Sequence, residues 1–234
     1  MQTTIGHGNA ELVSQMQLRR REVYDLDKIR MLWRMVLEEI NRSKFYILAA
    51  VILFAYGIYS GYSSDGLDAM LMQTTEQVFG QIRDQIERSD TPTLTAVMVI
   101  FLNNVRAVLV MMVLGIFLGL FPVLSMLFNG VLIGFTLRLQ EAADLSLMDL
   151  IFRGLLPHGI LELPAIFIAA GYGLRLGITA LRRLFPSQRA QVQTLGEIAM
   201  SGLALFGFLV ILLLFASIIE STITPWLLNS ALEA

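Results

Sequence analysis

Two short stretches place ionisable or strongly polar side chains inside otherwise apolar sequence, and they hold the residues with chemistry to offer. One reads Phe101-Leu102-Asn103-Asn104-Val105-Arg106, the other Leu156-Pro157-His158-Gly159-Ile160-Leu161-Glu162-Leu163-Pro164. A charge removed from water needs a partner, so Arg106 and Glu162 are expected to neutralise one another, with Asn103 and Asn104 adding hydrogen bonds. His158 and Glu162 are four residues apart, the spacing that sets two side chains on one helix face. The plainer reading is a polar knot holding two helices together. The functional reading is a polar cavity open to the outside that binds an ion, a lipid headgroup or a peptide.

Several chemistries are excluded at this stage. A metal centre on His158 and Glu162 needs further ligands, and the other histidine, His7, lies in the N-terminal tail. There is no HExxH pair of the zinc-protease kind, so a hydrogen-bonded His–Glu pair is expected, with neither metal nor cofactor. No nucleophile is placed beside the pair, which removes an intramembrane hydrolase and leaves no catalytic residue. A glycine-rich phosphate loop ending in Lys-Ser or Lys-Thr is absent. The chain has no cysteine, so disulfides and thiolate metal sites are excluded.

The elements that must position these residues are set by composition. Of 234 residues, 56% are hydrophobic and 15% charged, and the apolar ones gather into long blocks. Such blocks predict an all-α polytopic bundle of membrane-spanning helices, each needing about 20 apolar residues. Five spans are expected near residues 45–62, 94–121, 123–137, 160–181 and 195–219, with the break between the second and third at Pro122. Tyr46, Tyr56, Tyr59 and Tyr62 near the ends of the first suit the headgroup level. Residues 1–43 read as a basic cytoplasmic arm, not a cleavable signal, and 44–234 as the transmembrane domain.

Charge gives the orientation. Lys or Arg occurs at 19, 20, 21, 28, 30, 34, 42 and 44, and the 182–194 loop adds Arg182, Arg183 and Arg189 without an acid. The 63–93 segment is acidic instead, through Asp65, Asp68, Glu76, Asp84, Glu87 and Asp90, and the 139–150 loop carries Glu141, Asp144 and Asp149. Five spans then place the N-terminus in the cytoplasm and the C-terminus outside. The basic arm sits beside a span, so lipid headgroups account for it and nucleic acid does not.

Two polar stretches carry apolar stripes at helical spacing. Leu26, Ile29, Trp33, Val36 and Ile40 mark an amphipathic helix in the arm, suited to anionic headgroups or to a partner. Leu67, Leu71, Val78, Ile82 and Ile86 mark an external helix over 67–89. Its stripe must bury against the protein's own outer surface, a second copy or an extracellular partner. Small residues four apart, Gly115 with Gly119, Gly130 with Gly134, and Gly173 with Gly177, allow close helix approach within or between chains. Asn129-Gly130 is a candidate break that would make the third block partly re-entrant. Pro157 suits a helix's first turn, and Pro164 should kink the same helix and free carbonyls near Ile160.

The run from Phe101 to Gly134, with its paired asparagines, spaced glycines and Asn129-Gly130, is followed by PHGILELP at 157–164. Together they resemble the stage II sporulation protein M family, over roughly residues 40–220. Asn103, Asn104, His158, Gly159, Glu162 and Pro164 are the matching positions. The resemblance implies a multi-span protein of the plasma membrane with no established catalytic residues. In endospore formers it implies anchoring and localising cell-wall-degrading partners during engulfment, without cutting peptidoglycan itself. The expected function is therefore a non-enzymatic membrane scaffold. Its expected partners are membrane lipids, other membrane or extracytoplasmic cell-wall proteins, and possible homodimers. The competing expectation is a small transporter or channel with a polar intramembrane site around Arg106, His158 and Glu162.

Overall fold

The computed structural model describes residues 4–63, 68–141, 146–185 and 193–232, and these are helical apart from short turns. In chain order the helices are α1 (Thr4–Ser63), α2 (Asp68–Glu87), α3 (Pro92–Leu114), α4 (Leu120–Glu141) and α5 (Leu147–Asp149). A π-helical segment (Leu150–Leu155) then leads into α6 (Leu156–Arg183), and α7 (Leu195–Leu232) ends the fold. Leu67, Asp65, Asp144 and Arg189 of the sequence reading lie outside the described residues, as does the side chain of Val78.

Five helical stretches are long and apolar enough to cross a bilayer: Leu26–Ser63, Pro92–Leu114, Leu120–Gln140, Leu147–Arg183 and Leu195–Leu227. Only 22–33% of each one's most apolar window is buried inside the bundle, so most of that surface needs lipid for a solvent. Leu48, Ile52, Phe117, Leu203, Ile211 and Phe215 are among the large side chains left outward.

No boundary separates arm from first span. α1 is one helix, and its buried face runs unbroken through Val36, Glu39, Ser43, Ala50 and Phe54 at helical spacing. The arm's stripe accordingly divides. Trp33 meets Phe208 of α7 edge to face at 5.3 Å, and Val36 and Ile40 join the core, while Leu26 and Ile29 stay exposed. The stripe of α2 packs on the protein's own surface. Leu71 is buried with Leu132 and Phe135 of α4, and Ile82 and Ile86 are half-buried.

The reversal between α3 and α4 corrects the expected break at Pro122. The chain turns at 115–119, where Leu118 and Gly119 take φ of 57° and 71°, and Gly119 N–H donates to the Gly115 carbonyl at 2.8 Å. Pro122 instead sits in the first turn of α4, where its missing N–H has no intrahelical partner to lose. Nor does Asn129-Gly130 break α4: the Asn129 side-chain amide donates to the Ser125 carbonyl at 2.8 Å and the helix runs on to Glu141.

Close backbone approach explains the glycine spacing. A Cβ on Gly130 or Gly134 would collide with the carbonyls of Phe54 or Ile58 on α1, and one on Gly61 with the Val131 carbonyl. Gly115 lies likewise on Gly173, and Gly177 on Gly119, so α3 and α6 meet with almost nothing between them. These two contacts register α1 with α4 and α3 with α6.

Candidate functional site

Registering α3 with α6 decides which polar residues meet. Asn104 of α3, Asn129 of α4, His158 of α6 and Glu220 of α7 each lie about a dozen residues from the end of the bundle against which α2 packs. At 1.5 Å per residue that is a common depth of about 18 Å. The local sequence supports the polarity. Pro157 opens α6 after the π-helical segment, Pro164 interrupts the bonding of the Ile160 carbonyl, and Pro225 does the same to Ser221 in α7.

Ligand-type atoms of His158, Glu162 and Glu220 all lie within 4.8 Å of one another. Asn104 lines the same cavity as Glu162. His158 Nδ1 stands 3.4 Å from Thr224 Oγ1, and that hydroxyl donates to the Ile219 carbonyl at 3.5 Å. In the first of these contacts His158 Nδ1 and Thr224 Oγ1 can each take either role, according to the imidazole tautomer.

Beside the cluster is a cavity of about 300 Å³, lined by Asn103, Asn104, Asn129, His158, Glu162 and Glu220 and walled by Ile82 of α2. A second cavity of about 330 Å³ shares His158 and Glu220 and extends along α4 past Thr136 to Gln140. Among the described residues, no Lys or Arg lines either one. Further from α2 the bundle closes with the apolar side chains of Val108, Met111, Ala169, Leu205 and Leu209.

The expected Arg106–Glu162 pair is not formed. Asn104 meets Glu162, whereas Arg106 is exposed and enters no ion pair among the described residues. Two residues along a helix is about 200° of rotation, so Asn104 and Arg106 cannot face the same neighbour. Asn103, His158 and Glu162 do gather, while Gly115, Gly119, Gly130 and Pro164 act on packing and helix shape. Sequence reasoning missed Glu220. Its signal was its place one residue beyond the last apolar block, which the helix ignores by running on to Leu232.

A buried charge pair elsewhere was missed entirely. Arg175 of α6 is 7% exposed and Glu39 of α1 is 1% exposed, and they form a direct ion pair. Ser201 donates to Glu39 at 2.8 Å, and Arg175 also donates to Gln193 Oε1 at 2.7 Å. Arg175 lies 6.0 Å from the Tyr172 ring centre, and the Tyr172 hydroxyl donates to the Ile198 carbonyl at 3.0 Å. This cluster ties α1, α6 and α7 together near the opposite end of the bundle, so one polar knot joins helices there and another lines cavities near α2.

Comparison with known proteins gives one family. Residues 45–225, well over half of the chain, match the family described as Stage II sporulation protein M. No curated protein and no solved structure matches.

Proposed function

This chain belongs to the stage II sporulation protein M family, a sporulation-related family of membrane proteins, and from that premise we propose that it is a non-enzymatic scaffold. It sits in the plasma membrane and anchors extracytoplasmic cell-wall-remodelling partners through their membrane-embedded segments. Its N-terminus is cytoplasmic and its C-terminus extracytoplasmic, so that the α2 end of the bundle faces outward. α2 supports this as an outer surface, since Leu71 of its apolar stripe is buried against α4 and its charged side, with Glu76 and Arg83 paired at 2.7 Å, is left exposed.

The observation that carries the reading is Arg106. It lies past the middle of an apolar helix, on the exposed side, with no carboxylate beside it among the described residues. Its neighbours on that side, Leu102 and Leu109, are also exposed. Hydrocarbon cannot satisfy a guanidinium, so a bare arginine there is costly unless another protein covers it. A membrane helix carrying Asp or Glu is the matching chemistry. The apolar closure beneath the polar cavities favours this reading over a channel, which needs a polar path from one side to the other.

The test is purification from native membranes in several mild detergents, with a photo-crosslinking residue in place of Leu102 or Leu109. Membrane-anchored wall hydrolases or other membrane proteins should be recovered, and Arg106→Leu should abolish their recovery while the bundle itself stays folded. Recovery of this chain alone in every detergent, or recovery that ignores Arg106→Leu, would overturn it.

A further inference from the structure

We propose that His158, Glu162 and Glu220 bind one divalent transition-metal cation of the Zn²⁺ class. This site is separate from the Arg106 face and stands whether or not the scaffold reading does.

Charge is the first argument. Two carboxylates share a small space in a low-dielectric bundle, and among the described residues no Lys or Arg lines the cavities beside them. Their repulsion is relieved either by a retained proton or by a bound cation. A divalent cation cancels two carboxylates, whereas a monovalent ion leaves one charge uncompensated.

Geometry is the second. The three ligand atoms lie within 4.8 Å of one another, and small side-chain rotations bring such a set to the roughly 3.4 Å between donors held about 2.0–2.2 Å from a single ion. The ligands come from α6 and α7, helices long enough to hold them in place. Each of two ligands also has a polar neighbour. Asn104 lines the cavity beside Glu162, and Thr224 Oγ1 stands 3.4 Å from His158 Nδ1. That outer support is what metal-ligating histidines and carboxylates characteristically have.

The donor set chooses among metals. Imidazole nitrogen with carboxylate oxygen suits Zn²⁺ and its transition-metal neighbours, whereas Mg²⁺ and Ca²⁺ prefer oxygen alone. Three protein ligands beside a cavity of about 300 Å³ leave a coordination position for water or a small anionic ligand. The adjoining cavity leads from His158 and Glu220 past Thr136 to Gln140.

The experiment uses the full chain in detergent, stripped with chelator and then loaded with Zn²⁺ alone. One Zn²⁺ per chain should survive gel filtration, and Zn²⁺ should raise the Tm of the wild type. His158→Gln, Glu162→Gln and Glu220→Gln should each remove the bound metal. Asn104→Ala and Thr224→Val, which leave every ligand in place, should weaken binding about 10–100-fold. His7→Asn should bind as the wild type does. Because metal competes with protons for its ligands, affinity should fall as the pH is lowered. If a ligand variant fails to fold, the wild-type Tm shift and the Thr224→Val titration still decide. No retained Zn²⁺ with an unchanged Tm, retention in Glu220→Gln, loss in His7→Asn, or equal retention of Mg²⁺ each overturns the proposal.

Discussion

Glu39 and Arg175 show how much can depend on a single side chain. Each is nearly removed from solvent, and each has the other as its only opposite charge among the described ion pairs. Deleting one leaves the other buried and uncompensated, so Glu39→Ala or Arg175→Ala should cost about 3–5 kcal/mol in a reversible unfolding assay in detergent. The double variant should cost clearly less than the two singles together, because removing both charges also removes the desolvation burden. Additive losses would show that the pair contributes nothing as a pair. The same assay applied to Arg106→Ala and Glu162→Ala should give additive changes, since those side chains face different neighbours. Neither Glu39 nor Arg175 stood out in the sequence, because Glu39 lies among charges that read as a solvated arm and its partner is far along the chain. Arg106 stood out and was assigned the wrong neighbour. Position along a helix gives depth, but two residues of offset reverse the facing direction, and only packing reveals which residue points inward.

At the level of helices, hydropathy pointed to five long apolar helices and periodicity to α2, of whose stripe Leu71 is buried and Ile82 and Ile86 are half-buried. What periodicity could not supply was the neighbour. Gly130 and Gly134 were legible as a close-approach surface, yet nothing in their spacing named α1, and Gly57 and Gly61 opposite them went unnoticed. The turn at 115–119 was hidden for a related reason: proline signals a helix boundary more loudly than glycine, and it can stand just inside a helix as well as just outside. The glycines separate into two kinds with opposite expected outcomes. Gly134→Ala puts a methyl group against the Ile58 carbonyl on α1, where backbone cannot yield cheaply, and should lower the Tm and the yield of monodisperse protein. Gly207 has nothing within 4 Å of an added Cβ and lies inside α7, so Gly207→Ala should raise stability by up to about 1 kcal/mol through helix propensity. Equal effects from the two substitutions would mean that α1 and α4 do not touch as described.

Taken as a whole, the molecule is asymmetric in charge from end to end, and that asymmetry predicts how it should sit in a membrane. Arg182 and Arg183 close α6 at the end away from α2, and the N-terminal half of α1, with Lys28, Arg30 and Arg34, belongs to that end too. α2, with Glu76, Asp84 and Glu87, lies at the other. Basic segments are retained on the cytoplasmic side during insertion, so the polar cavities near α2 should open to the exterior. The absence of native cysteine makes this directly measurable. Asp84→Cys on α2 and Arg182→Cys at the end of α6 each introduce one thiol at an exposed position. In intact cells a membrane-impermeant maleimide should label Asp84→Cys and leave Arg182→Cys unmodified until the membrane is permeabilised. The reverse pattern would turn the bundle over, placing the His158 cavity toward the cytoplasm and taking α2 away from any extracytoplasmic partner. Labelling of both in intact cells would show that the two ends are not on opposite sides of the bilayer, and would break the five-span topology itself.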